Sequence, residues 1–353
     1  MNIPKKIFIV GGGLCGLTLS YLLSRNNISS TILEASSRLG GRIHTAMGAL
    51  GTPLELGATW FTDEHKNLLA LIDDLGLTKY PQFSRGISLF QNQSFEPPQE
   101  FSVPESEYPS YRLAGGTQML IDALAHKLVS SSIRLNTRVT SIDLARGFLI
   151  LKTLSGEIEE AGVVVLCIPP QLAVTQIQFS PKLDQEVYQL LPHVHTWMVG
   201  SVKFVLEYDA PFWRNRGYSG MVYSRSGIIA EMYDHTNFEN TQYGFTGFLN
   251  GSAISYSQEA RKELVLKQLE KLLGRESLQP SFYSDKVWTD DYVVAGNQFV
   301  QRPHQNNGHA MLQQSYLDKK LFFSSTESAT QFGGYMEGAV ISAATIANKI
   351  LEV

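Results

Sequence analysis

The chain has 353 residues, 43% hydrophobic and 10% aromatic, enough to bury a large core and incompatible with a disordered, collagen-like or coiled-coil protein. A net charge of −4 excludes a basic surface built for nucleic acid or anionic lipid. The two cysteines, Cys15 and Cys167, exclude a disulfide scaffold and a thiolate-rich metal site, and they point to a reducing, cytoplasmic compartment.

In chain order, Lys6–Val10 reads as a buried strand running straight into a glycine turn, 14–25 as a helix and Thr31–Leu33 as a second buried strand. This is the spacing of a βαβ unit. Gly11, Gly12, Gly13 and Gly16 interrupt the apolar N-terminal run and no small-x-small cleavage site follows, so no secretory signal is expected. A helix is expected over Glu64–Leu75. The proline-rich stretch 91–110 reads as a loop or lid, and a further helix is expected over Met119–Leu128. Strands are expected at Arg134–Asp143, Phe148–Leu154 and Val163–Cys167, and the whole of 197–250 is strand-rich. Glu259–Leu273 is an amphipathic helix with Leu266, Leu269 and Leu273 on one side. The chain closes with a strand at Leu321–Ser324 and a helix from about Gly338. Ile341–Val353 is too short to span a bilayer, which takes ~20 apolar residues, so no membrane anchor is expected. His193 and His195 alternate along what reads as a strand but lack a third ligand, so no metal site is expected.

The strongest local signal is Gly11-x-Gly13-x-x-Gly16 between a strand and a helix. Gly11 permits the tight turn, Gly13 lets a pyrophosphate approach the backbone, and Gly16 lets the helix pack against the sheet. Leu14 and Cys15 lie at the helix N-terminus, where free N–H groups and the helix dipole favour phosphate. Glu34 ends the second strand, 18 residues after Gly16, where a carboxylate can hold a ribose hydroxyl; it would repel the 2′-phosphate of NADP. Ala35 follows it. Beyond the diglycine Gly40-Gly41, Arg42 is placed to grip a pyrophosphate bidentately.

With these residues the chain resembles the flavin-containing amine oxidase family, which includes monoamine, polyamine and L-amino-acid oxidases. The resemblance continues in order through Leu54-Glu55-Leu56-Gly57-Ala58, Tyr111-Arg112-Leu113-Ala114-Gly115-Gly116, Thr137-Arg138-Val139, Ser325-Thr326-Glu327 and Gly334-Tyr335-Met336-Glu337-Gly338. It implies FAD as the cofactor, with Gly57 and Ala58 beside it, the Val139 backbone at the adenine, Glu327 at the polar linker and the Met336 N–H at the flavin edge. It further implies that Lys203, eight residues before Pro211-Phe212-Trp213, holds a water against the flavin, and that Tyr335 is one ring of an aromatic pair flanking the substrate. Trp288 is placed near the flavin or in the core. At the family's covalent-linkage position Asn297 and Gln298 replace Cys and Tyr, so the flavin is expected to be non-covalent.

The expected architecture is an α/β fold with an FAD-binding, Rossmann-like domain (1–78, 112–192, 286–353) and a discontinuous, β-rich substrate domain (79–111, 193–285). The resemblance implies oxidation of a small-molecule amine to an imine, with O2 reoxidising the flavin to give H2O2. A desaturase or porphyrinogen-type oxidase acting on C–C bonds, and a non-catalytic flavin-binding protein, remain as alternatives.

Overall fold

The computed structural model describes residues 6–104, 109–128, 132–289, 292 and 302–352. Its first sheet has six strands in the spatial order 315–316, 321–323, 163–166, 7–10, 31–33, 132–134. All neighbours are parallel except the edge pair 315–316 and 321–323. The central strands Ile7–Val10 and Val163–Leu166 are continuous apolar runs because helices and a second sheet cover both faces. On one face pack the helices Leu14–Ser24, Gln118–Lys127 and Met336–Leu351, joined in a single apolar cluster. On the other lies a four-stranded sheet in the order 158–161, 148–153, 139–145, 178–180.

The third sheet is separate and larger. Its seven strands run 282–287, 202–208, 243–249, 229–234, 218–224, 87–91, 99–102. The helix Gln258–Leu273 covers it through Val265, Leu269, Leu272 and Leu273, while Leu266 stays half-buried. That helix starts at Ser257, whose hydroxyl accepts the Ala260 N–H at 3.2 Å, and stops at Gly274, where φ is +89°.

Two segments differ from the sequence expectation. The stretch 91–110 is not loop throughout: Gln99–Ser102 pairs antiparallel with Ile87–Gln91 as the edge strand of the large sheet. Prolines flank the strand at 97, 98 and 104, and as an edge strand it tolerates them. His193 and His195 do not share a strand face, because Leu191–His193 is a single 3-10 turn with Pro192 at its start. Among the described residues no three His, Cys, Asp or Glu side chains group as metal ligands, and no helix is long and apolar enough to cross a membrane.

Candidate active site

The carboxyl ends of the parallel strands and one face of the large sheet open onto a single cavity of about 660 Å³, within the usual size range of ligand sites. Its floor is the glycine turn. Gly11 has φ +110°, and a Cβ there would stand 2.6 Å from the Cys167 carbonyl. A Cβ on Gly16 would stand 2.1 Å from the Gly11 carbonyl, so only glycine lets the helix sit on the turn. Gly13 differs: a Cβ there meets only the Gly40 carbonyl, at 3.9 Å, because this glycine faces the cavity. The first helical bond is Leu17 N–H to Gly13 O at 3.0 Å, so the amides of Leu14, Cys15 and Gly16 precede it, and Leu14 and Cys15 line the cavity.

Glu34, Ala35, Gly57, Ala58 and Val139 line the same cavity. The Glu34 carboxylate is pinned from both sides: it accepts the Gly12 N–H at 2.6 Å and the Ser36 N–H and hydroxyl at 2.8 and 2.7 Å. Met336 and Tyr335 close the far side, where the last helix begins. The Thr326 hydroxyl fixes that turn by donating to the Tyr335 carbonyl at 2.6 Å and accepting the Gly334 N–H at 2.9 Å. Glu337 anchors the same helix elsewhere, accepting the Asn67 and Leu68 amides at 3.1 and 2.7 Å.

Three of the expected residues have partners within the protein, and for Trp288 the core reading holds. Arg42 lines the cavity, but its bidentate partner is Glu327, at 2.6 and 3.1 Å. Glu327 is fully buried behind it and reaches the cavity only through that guanidinium. Trp288 is core: it is fully buried, packs on Met198 and donates its indole N–H to the Leu56 carbonyl at 2.9 Å. Asn297 and Gln298 lie outside the described residues.

Register explains the opposite wall. Lys286, Lys203, Phe248 and Glu231 are partners on four adjacent strands, and partners point to the same face. All four line the cavity. Lys203 is 1% exposed. Its ammonium donates to the Gly57 carbonyl at 2.7 Å and to the Thr59 hydroxyl, and lies 5.0 Å from the centre of Trp60 and 5.4 Å from that of Phe248. Burial pulls its pKa down to about 7, although the Glu55 and Glu231 carboxylates pull the other way. Glu55 is itself buried; desolvation raises its pKa against hydrogen bonds from Thr117 and Thr45.

Tyr335 is 44% exposed. Its ring stacks with His304 (5.7 Å, 13°) and Trp197 (6.3 Å, 21°). Sequence reasoning missed Trp197, Trp60, Glu231 and Tyr233. Two signals were available: Trp60 directly follows the Leu54–Ala58 segment and Thr59 in the stretch that carries the resemblance, and Glu231-x-Tyr233 alternates in a strand-rich region.

A glycine turn, a helix N-terminus and an acid at the end of the second strand, all opening on one cavity, define a dinucleotide-binding protein. The sequence profile described as flavin-containing amine oxidoreductase matches residues 14–96 and 89–351. The chain belongs to that family, and its cofactor is FAD. It is 24% identical to a probable flavin-containing monoamine oxidase A of Dictyostelium discoideum, across 99% of this chain and 98% of that protein. It is 28% identical to the flavin-containing amine oxidase B of Bos taurus, across 99% and 87%. In fold it is similar to cyclohexylamine oxidase from Brevibacterium oxydans, with TM-score 0.85, 20% identity and 98% of each chain covered. Putrescine oxidase bound to putrescine superposes with TM-score 0.84, at 20% identity over 99% of each chain. A putative protoporphyrinogen oxidase from Exiguobacterium superposes with TM-score 0.76, at 18% identity over 99% of each.

The residues fit the cofactor. The open side of Gly13 and the unpaired amides at the helix start suit a pyrophosphate, and Glu34 suits a ribose.

Proposed function

We propose that the protein oxidises a small-molecule amine to an imine, which water hydrolyses. Bound FAD would supply the two-electron acceptor for the amine, with reoxidation by O2 giving H2O2. The observation that carries this reading is Lys203. Its amine, near neutral in pKa, is fixed by Gly57 and Thr59 between two aromatic rings on the cavity wall. Held this way, Lys203 can retain one water at the reacting end of the cavity, while Trp60, Phe248 and Tyr335 exclude bulk water and present ring faces to the substrate nitrogen.

The cofactor-binding roles of Gly11, Gly13, Glu34, Arg42, Val139 and Met336 belong to the same proposal. So does the division into a cofactor part built on the parallel sheet and a substrate part built on the large sheet. A cytoplasmic location is supported by the two cysteines, both buried and both free.

Anaerobic mixing of the holoprotein with a panel of primary and secondary amines tests the activity. Bleaching of the yellow absorbance by an amine, slowed in Lys203→Met with flavin still bound, is expected. Bleaching only by a porphyrinogen or another C–H donor, or by nothing, overturns the reading.

A further inference from the structure

A typical aliphatic amine has a pKa near that of lysine, ~10.4, and so reaches the site as an ammonium with no free lone pair. It must lose a proton before the imine can form. Among the described residues, the carboxylates lining the cavity are Glu34 and Glu231. Glu34 lies at the glycine turn, occupied by Gly12 and Ser36. Glu231 stands on the lysine wall.

Two hydroxyls connect Glu231 to the outside. The Tyr233 hydroxyl donates to the Glu231 carboxylate at 2.9 Å, and the Tyr223 and Tyr233 hydroxyl oxygens are 2.8 Å apart. Glu231 and Tyr233 line the cavity, whereas Tyr223 is 38% exposed and lines a separate surface depression with Phe90, Phe101 and Arg225. Tyr223 is the register partner of Glu231 and Tyr233 lies two residues along the same strand, so the three oxygens share one face of the sheet and run along it from the cavity to the exterior. We propose that Glu231 takes the proton from the substrate ammonium and passes it to solvent through Tyr233 and Tyr223, a role that rests on the amine reading above.

The balance is simple. An N–H bond of the ammonium breaks and an O–H bond forms on Glu231. Glu231 then gives that proton to the Tyr233 oxygen as Tyr233 gives its own to Tyr223 and Tyr223 gives one to water. The carboxylate is restored, and no electrons are exchanged. Tyr233 suits a relay because burial, the Tyr223 hydrogen bond and the Glu231 charge all raise its pKa, keeping the phenol neutral. The groups facing Glu231 are Tyr223 on the neighbouring strand, Phe248 on the other side, Lys203 and Lys286 beyond it in the same row, and Tyr233 on its own strand with Trp60 against it, 5.0 Å between rings.

The test measures anaerobic flavin reduction in the holoenzyme against pH, using a primary amine that reduces the wild type. Glu231→Gln is expected to slow reduction on the order of 10²-fold near neutral pH, the usual contribution of a positioned base. The deficit should close as the pH approaches the amine's own pKa. Tyr223→Phe should show a smaller loss with the same pH dependence. A readout without turnover is the perturbation of the flavin spectrum by tert-butylamine, which has no α-hydrogen; Glu231→Gln should weaken it on the order of tenfold at neutral pH, as removal of a charge facing the ammonium predicts. A Glu231→Gln profile parallel to wild type, with only KM raised, would assign the residue to anchoring and overturn the proposal. A pH limb that moves in Lys203→Met instead would assign the base to Lys203 and overturn it too. Tyr223→Phe indistinguishable from wild type would overturn the exit route. A wild type that no amine reduces removes the amine reading itself, a different result from any of these.

Discussion

Arg42 and Glu327, 285 residues apart in sequence, form a bidentate ion pair at 2.6 and 3.1 Å on the wall of the cofactor cavity. Glu327 is fully buried and Arg42 is mostly so, and the charge of each offsets part of the other's desolvation penalty. The Arg42 guanidinium also donates to the Trp197 carbonyl at 3.3 Å, tying the loop that carries Trp197 to the same pair.

Removing one partner should therefore cost more than removing both. Arg42→Ala leaves a buried carboxylate uncompensated and is expected to lower stability by about 3–5 kcal/mol. Arg42→Ala with Glu327→Gln should recover most of the loss. Urea midpoints of the three proteins check this; equal midpoints for single and double variants would show that the pair is not the source.

Glu34→Ala is expected to weaken FAD binding by roughly 2–3 kcal/mol, or about 30–150-fold in Kd, because a charge-assisted hydrogen bond is lost and its partners are left unpaired. The Gly12 amide and both Ser36 donors lose their acceptor in the same variant. Quenching of flavin fluorescence on titration into apoprotein measures the effect. An unchanged Kd would remove Glu34 from the cofactor site.

Lys203 gives stability a specific pH signature. Its folded pKa, about 7, lies below the ordinary lysine value of 10.5, so between those values the unfolded chain holds a proton that the folded one does not. The contribution of Lys203 to stability thus rises with pH through that window, by a few kcal/mol in all. Below pH 7 both states are protonated and its penalty is constant. Denaturant midpoints of wild type and Lys203→Met should converge or cross in the wild type's favour from neutral pH towards pH 10. Parallel curves would mean that Lys203 is not held near neutrality.

The flavin should leave with the supernatant when the holoprotein is precipitated with acid. A thioether to the flavin ring needs a thiol at the lysine end of the cavity. Cys15 is in the first turn of the Leu14–Ser24 helix and Cys167 donates its N–H to Val10 O at 2.8 Å, so both belong to the glycine-turn end. Burial and the neighbouring Cys15 also raise the Cys167 thiol well above its ordinary pKa, which suppresses the thiolate. Yellow colour retained on the washed pellet would contradict this.

The glycine turn and its acid were legible in the sequence because their constraints are local. Gly11 must adopt φ +110°, Gly16 must let a helix touch a strand, and Glu34 must follow three strand residues, all within one βαβ unit. The helices at Lys66–Asp74, Gln258–Leu273 and Met336–Leu351 were legible for the same reason, since periodicity and caps act over a few turns. The Leu191–His193 turn was misread because alternation over three residues does not separate a strand from a proline-initiated turn.

The partners of these groups were decided only by the tertiary fold. Nothing near Arg42 in the chain marks Glu327 as its counter-ion, and nothing near Trp288 shows that its N–H is taken by Leu56 in the core. The lysine-bearing wall of the cavity depends on strand register: Lys286, Lys203, Phe248 and Glu231 come from four strands spread over 84 residues of sequence and meet because hydrogen-bonded ladders align them, whereas a slip of one residue would turn each to the other face. Local backbone geometry is enough to mark a dinucleotide-binding turn in the sequence, whereas the side chains that meet on the opposite wall of the cavity are set by pairing between distant strands, which no local pattern encodes.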